Sequence, residues 1–181
     1  VKVLLDTCVI YPTVMREMLL GVAAAGAFTP LWSARIIGEW RHAAARLGPE
    51  GAAQAEAEAA LMAARWPGAG VAYAPSLEAR LWLPDPADTH VLAAAISGSA
   101  DGIITLNARD FPRAVLAEEG LWRADPDGFL HGIWRAQPGL VAGVAGEVLA
   151  RARHLSKGEW EMRPLLKKAR LPRLAKALGG G

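Results

Sequence analysis

Val1-Lys2-Val3-Leu4-Leu5-Asp6-Thr7 is the stretch whose reading decides the fold. It opens on an apolar, partly β-branched run that is too short for a helix, and a carboxylate ends it. That pattern predicts a short buried strand with Asp6 just past its carboxyl end. Gly102-Ile103-Ile104-Thr105-Leu106 has the same character, so Asn107 and Asp110 follow a second strand. Shorter strands are predicted at residues 71–73 and 121–123. Helices are predicted between them. The first spans residues 7–25, with Met15, Met18, Leu19 and Val22 on one face, and a break over residues 26–30 follows it. The next spans 34–47, with Ser33 as N-cap and Gly48-Pro49 as the stop. Others cover 50–66 and 85–97, and one starts at Asp125-Pro126. Helices at 140–154 and 159–169 and a last piece from Pro172 complete the chain. Strands alternating with helices predict an α/β fold around a parallel sheet.

At 181 residues, 52% of them hydrophobic and 21% charged, the chain is long and apolar enough for one core and an appendage, not a disordered segment. The single cysteine, Cys8, excludes an intrachain disulfide and a multi-cysteine zinc site, and it reads as a small residue beside a strand end. His42, His90, His131 and His154 lack zinc-ligand spacing. The opening apolar run is too short for a signal peptide and no later run is long enough to span a membrane, so a cytoplasmic protein without a membrane partner is expected. Charge is uneven: residues 1–150 carry −5 and residues 151–181 carry +7. The basic tail is either a solvated helical face or a surface for a polyanion.

Carboxylates are the candidate functional groups. Asp6 either caps the next helix or holds a cation, because ligands collect at the carboxyl ends of strands in open α/β sheets. Glu39 shares a helix stripe with Ile36, Ala43, Trp40 and Leu47 and so points into or along the edge of an apolar face. A carboxylate there needs a cation, a donor such as Arg35 or Arg41, or a proton. In Asp85-Pro86-Ala87-Asp88, Asp85 fits an N-cap, Pro86 the first helical position and Asp88 the first turn. Asp88 also lies on the face of Val91, Leu92 and Ala95. Asn107 and Asp110 are either turn residues or members of a site. Clustered carboxylates repel unless a cation neutralises them, and oxygen donors favour Mg²⁺ or Mn²⁺. Two such ions about 4 Å apart could orient a water and stabilise a phosphodiester displacement.

Four segments in order carry a likeness to a known family: Val3-Leu4-Leu5-Asp6-Thr7, Ile37-Gly38-Glu39-Trp40, the run Asp85 to Ala95, and Ala100 to Phe111 with Thr105-Leu106-Asn107-Ala108-Arg109-Asp110 inside it. Together they resemble the PIN-domain family over roughly residues 1–136. Residues 137–181 form a basic helical extension outside the likeness. The resemblance implies a three-layer α/β/α sandwich with a central parallel sheet. It implies metal-assisted RNA hydrolysis with Asp6, Glu39 and Asp88 as the first three acidic positions. Thr7 matches a hydroxyl supporting the first Asp, and Thr105 the hydroxyl before the fourth acidic position. Asn107 stands where many members have Asp, and Asp110 is the candidate to supply that charge. Cys8 takes a place often held by Asn.

The expected function is therefore a Mg²⁺- or Mn²⁺-dependent endoribonuclease. The likeness to VapC-type toxins implies the toxin of a toxin–antitoxin pair, with an RNA substrate, a cognate antitoxin and a homodimer. Asn107 keeps a second expectation open, a non-catalytic RNA-binding or interaction module on the same scaffold. A phosphatase of the haloacid-dehalogenase type would need a second Asp at the position of Cys8.

Overall fold

The computed structural model describes residues 1–180. In chain order the elements are β1 (Lys2–Leu5), α1 (Thr7–Ile10), α2 (Thr13–Ala24), β2 (Thr29–Ser33), α3 (Ala34–Ala45), α4 (Pro49–Arg65), β3 (Gly70–Val71), α5 (Pro75–Arg80), a 3₁₀ turn (Pro86–Asp88), α6 (Thr89–Ser97), β4 (Gly102–Ile104), a second 3₁₀ turn (Ala108–Asp110), α7 (Arg113–Glu118), β5 (Trp122–Ala124), α8 (Pro126–Ala136), α9 (Pro138–Ser156), α10 (Met162–Lys168) and α11 (Pro172–Leu178). Their contacts form two units, residues 1–11 with 29–124, and residues 12–28 with the chain from Asp125 onward.

The first unit holds a five-stranded sheet of order β3-β2-β1-β4-β5, parallel throughout. The α/β class with a central parallel sheet is thus as expected. Val3, Leu4, Ile103 and Ile104 are fully buried, as strands in the middle of a parallel sheet must be. From β1 the chain builds outward through β2 and β3, then returns to add β4 and β5 on the other side. The reversal puts the carboxyl ends of β1 and β4 side by side, with Leu5 opposite Ile104 and the Asp6 N–H donating to the Ile104 carbonyl at 3.1 Å. Open α/β sheets bind their ligands at such a switch point.

Two local expectations are corrected, and two helices are added. The helix expected over residues 7–25 is two helices, because Pro12 lacks the N–H a continuous helix needs and adopts extended backbone before α2. Residues 29–33, partly assigned to a break, form β2. Pro30 is tolerated inside it because the N–H groups of Thr29 and Trp32 point to opposite sides, to Val1 and Ala69 respectively. The nitrogen of Pro30 therefore faces the side of β3, which pairs only with Trp32 and Ser33. Finally, α5 and α7 are each a six-residue helix, too short to show a helical period in sequence. Ser33 does cap α3, accepting the Ile36 N–H at 3.1 Å.

The second unit is helical. Met15, Met18, Leu19 and Val22 of α2 are fully buried, as the sequence stripe predicts, and α2 packs on α9. Asp127, buried in α8, accepts the N–H groups of Arg173 and Leu174 at 2.9 and 3.0 Å and so caps α11 from a distance. Phe28 meets Phe129 edge to face at 5.1 Å. Among the described residues no helix is long and apolar enough to cross a membrane.

The close approach of α2 to α9 gives a stability test. The Val144 side chain fills the place that a Cβ at Gly21 would take, whereas nothing lies within 4 Å of a Cβ at Gly143, on the exposed side of α9. Gly21→Leu is expected to lower stability by about 1–3 kcal/mol through overpacking. Gly143→Ala is expected to raise it by about 0.5–1 kcal/mol through helix propensity. Urea denaturation of the two variants measures both signs.

Candidate metal centre

The chemistry-bearing side chains gather at the reversal of strand order. Asp6 is only 4% exposed. Its Oδ1 accepts the Thr7 N–H at 2.8 Å, which caps α1, and its Oδ2 accepts the Thr105 hydroxyl at 2.8 Å. The capping role foreseen for Asp6 is real, and the same carboxylate also joins the two strand ends. Thr105 is locked in turn, its Oγ1 accepting the Asn107 N–H at 3.0 Å. Cys8 completes this wall: its thiol donates to Asp6 Oδ2 at 3.4 Å and its sulfur accepts the Leu106 N–H at 3.3 Å. Burial and the Asp6 charge push the Cys8 thiol up to about 12, so it stays protonated and is a poor nucleophile.

Asp85, Asp88 and Asp110 form a cluster in which one carboxylate oxygen from each lies within 4.8 Å of the others. The 3₁₀ turn at Pro86 delivers the first two. Asp85 accepts the Ala87 N–H at 2.9 Å, and Thr89 Oγ1 donates to the Pro86 carbonyl at 2.7 Å. Asp88 stands at the N-cap position of α6 but makes no capping bond, so its carboxylate is uncommitted to backbone. Asp110 closes the second 3₁₀ turn. That turn is anchored by fully buried Phe111, whose carbonyl accepts Arg123 Nε at 2.8 Å. Asp85, which the sequence assigned to capping alone, therefore caps and also belongs to the cluster. Asn107 contributes its backbone N–H to the wall.

Glu39 is held on two sides. Its Oε1 lies 2.6 Å from His90 Nε2, within ion-pair range, and its Oε2 accepts the Thr7 hydroxyl at 3.2 Å. Thr7 also reaches the Ile36 carbonyl at 3.3 Å, so its hydroxyl supports Glu39, while Thr105 rather than Thr7 donates its hydroxyl to Asp6. Of the two arginines weighed as partners, Arg35 lies 3.9 Å from Glu39, and Arg41 pairs with Glu56 at 3.0 Å instead. The Glu39 side chain is 42% exposed, at the edge of the helix stripe, as its spacing predicted. His90 is a member that sequence reasoning missed. Burial pushes its imidazole below the ordinary value, against the opposing pull of Glu39, and so favours the neutral ring. The available signal was a histidine two residues after Asp88 on a helix with an apolar face.

Asp88 is the electrostatic centre. Burial, then the charges of Asp6, Asp85, Asp110 and Glu39, raise its carboxyl to about 6. Asp88 thus feels the other four carboxylates, of which Asp85 and Asp110 converge with it, and every donor in that cluster is oxygen. That set fits a hard divalent cation such as Mg²⁺ or Mn²⁺ and offers nothing to a soft one.

The shift makes a signed prediction. The folded chain binds the Asp88 proton more tightly than the unfolded chain does. Stability therefore falls as pH rises from 3.8 to about 6, and the penalty stays constant above that. Asp88→Asn removes it. In a chelator the variant melts above wild type at neutral pH, and the gap closes as pH approaches the unfolded value. Added Mn²⁺ reverses the order, because only wild type gains the binding energy. Scanning calorimetry with chelator and with Mn²⁺ reads both.

A family model described as PIN domain matches residues 2–109, more than half of the chain, and takes in Asp6, Glu39, Asp88 and Asn107. No curated protein and no solved structure matches. The parallel five-stranded sheet agrees with the α/β/α fold of that family. The chain belongs to the PIN-domain family, whose members are generally nucleases.

Proposed function

We propose that the protein is a Mg²⁺- or Mn²⁺-dependent endoribonuclease that hydrolyses RNA phosphodiester bonds. The observation that supports this best is Asp88, raised to about 6 amid Asp6, Asp85, Asp110 and Glu39. Such crowding without a cation is costly, whereas with one it becomes a binding site. Asp6, Glu39, Asp88 and Asp110 would hold the ion, and Asp85 lies close enough to Asp88 and Asp110 to join them. A bound divalent ion would supply charge neutralisation for the phosphodiester and activation of water. The chain's own contribution is positioning. Thr105 and the α1 backbone hold Asp6, and Thr7 and His90 hold Glu39 where its carboxylate can orient a water and take up a proton at Oε.

The nine Lys and Arg side chains of residues 151–180 are all exposed, which supports phosphate contact by the basic extension at 137–181. A role as toxin of a toxin–antitoxin pair, a cognate antitoxin, a homodimer and a cytoplasmic location accompany this reading through family likeness. Asn107 favours the second reading, a non-catalytic RNA-binding module. Asp110 in the cluster offsets that loss of charge and favours catalysis.

Asp6→Asn keeps an oxygen to cap α1 and Asp88→Asn breaks no capping bond, so both variants are expected to fold. Each is expected to lower Mn²⁺-dependent cleavage of single-stranded RNA by about 100-fold or more. Undiminished cleavage by either would contradict the assignment. An inactive wild type that still binds RNA would favour the non-catalytic module.

A further inference from the structure

We propose that His90 is the positioning residue of this site, its buried imidazole fixing the Glu39 carboxylate in the orientation in which it meets the cation. The inference rests on the metal-site reading above and deepens it.

Glu39 is long, mobile in principle and partly exposed, so its orientation has to be imposed. Arg35 imposes little, since it stands 3.9 Å from Glu39 and is shared with Glu78 at 3.2 Å. The short contact is His90 Nε2 to Glu39 Oε1 at 2.6 Å, within ion-pair range and closer than Thr7 or Arg35 comes to that carboxylate. The ring cannot swing away, because His90 is 1% exposed.

Its other nitrogen shows that the ring does not serve itself. Among the described residues, Nδ1 of His90 is a buried polar atom with no hydrogen-bond partner. An apolar side chain at that place would avoid the cost of desolvating it. The polar contact of Nε2 with Glu39 is what the imidazole provides and an apolar residue could not. His90 does not belong to the group of side chains whose donor atoms converge, Asp85, Asp88 and Asp110. Oε2 accepts from Thr7 and Oε1 faces His90 Nε2, and each oxygen keeps a lone pair for the site. His90 also begins α6 two residues after Asp88, so one helix start carries one carboxylate of the site and the clamp on another.

The test compares His90→Phe, which has no donor, with His90→Gln, whose amide can present an N–H near the place of Nε2. Both are made in wild-type and Glu39→Ala backgrounds. Mn²⁺ affinity is read by electron paramagnetic resonance, and kcat and KM on single-stranded RNA. His90→Phe is expected to lower Mn²⁺ affinity or kcat by about 10–100-fold, with KM little changed. His90→Gln is expected to recover most of the loss, and His90→Phe to add nothing once Glu39 is Ala. Imidazole ¹⁵N shifts of wild type, which need no His90 variant, are expected to report the Nε2–H tautomer, with its proton protected from exchange until Glu39→Ala. The opposite tautomer overturns the proposal, as does a His90→Phe that matches wild type or a loss that persists in Glu39→Ala. Those results leave the nuclease reading standing, whereas a wild type that binds no Mn²⁺ removes both.

Discussion

The pairing of β1 with β4 is the constraint from which the site follows. Leu5 lies opposite Ile104, and the ladder continues one step further through the Asp6 N–H to the Ile104 carbonyl. Both strands are buried, so hydrophobic burial fixes their register. Once it is fixed, Asp6 and Thr105 must meet, and the turns that follow or face these strand ends bring in Asp88 and Asp110. The carboxylates are crowded because an apolar core holds the backbone that carries them. Two like charges about 5 Å apart repel by roughly 3 kcal/mol at an effective dielectric near 20. An N-cap contributes about 1 kcal/mol. Capping alone therefore does not account for the gathering of Asp85, Asp88 and Asp110, while the proposed divalent cation would.

Much of this frame was legible in the sequence because it obeys local rules. β1 and β4 are short apolar runs ended by polar residues, Ser33 and Asp125 are caps in fact as in pattern, and Asp85-Pro86 starts a turn of helix as its chemistry dictates. β2 was hidden because Pro30 argues against a strand, and the sheet tolerates it only because β3 is too short to ask for its N–H. The break at Pro12 was hidden by apolar residues on either side of it, Val9 and Ile10 before and the stripe from Met15 after.

The site was legible one residue at a time and illegible as a set. Glu39 drew attention by its place at the edge of an apolar stripe, and Asp88 by sharing a face with Val91 and Leu92. His90 did not, because its partner is distant in sequence and no spacing rule links them. The support of Asp6 by the Thr105 hydroxyl, with Thr7 turned to Glu39, has the same origin. The Thr7 hydroxyl follows α1 toward α3, while that of Thr105 sits across the ladder from Asp6. Asp85 was assigned one role from its local pattern, and only the turn that returns Asp110 beside it discloses the other.

A crystal soaked in Mn²⁺ and measured at the manganese absorption edge bears most directly on whether these carboxylates form a metal centre. The expected result is anomalous density bound by Asp88 together with Asp6, Glu39 or Asp110, with Glu39 still held by His90 and Thr7. Crystals that show no manganese at these carboxylates, grown from protein that cleaves RNA in the same Mn²⁺ solution, would contradict it.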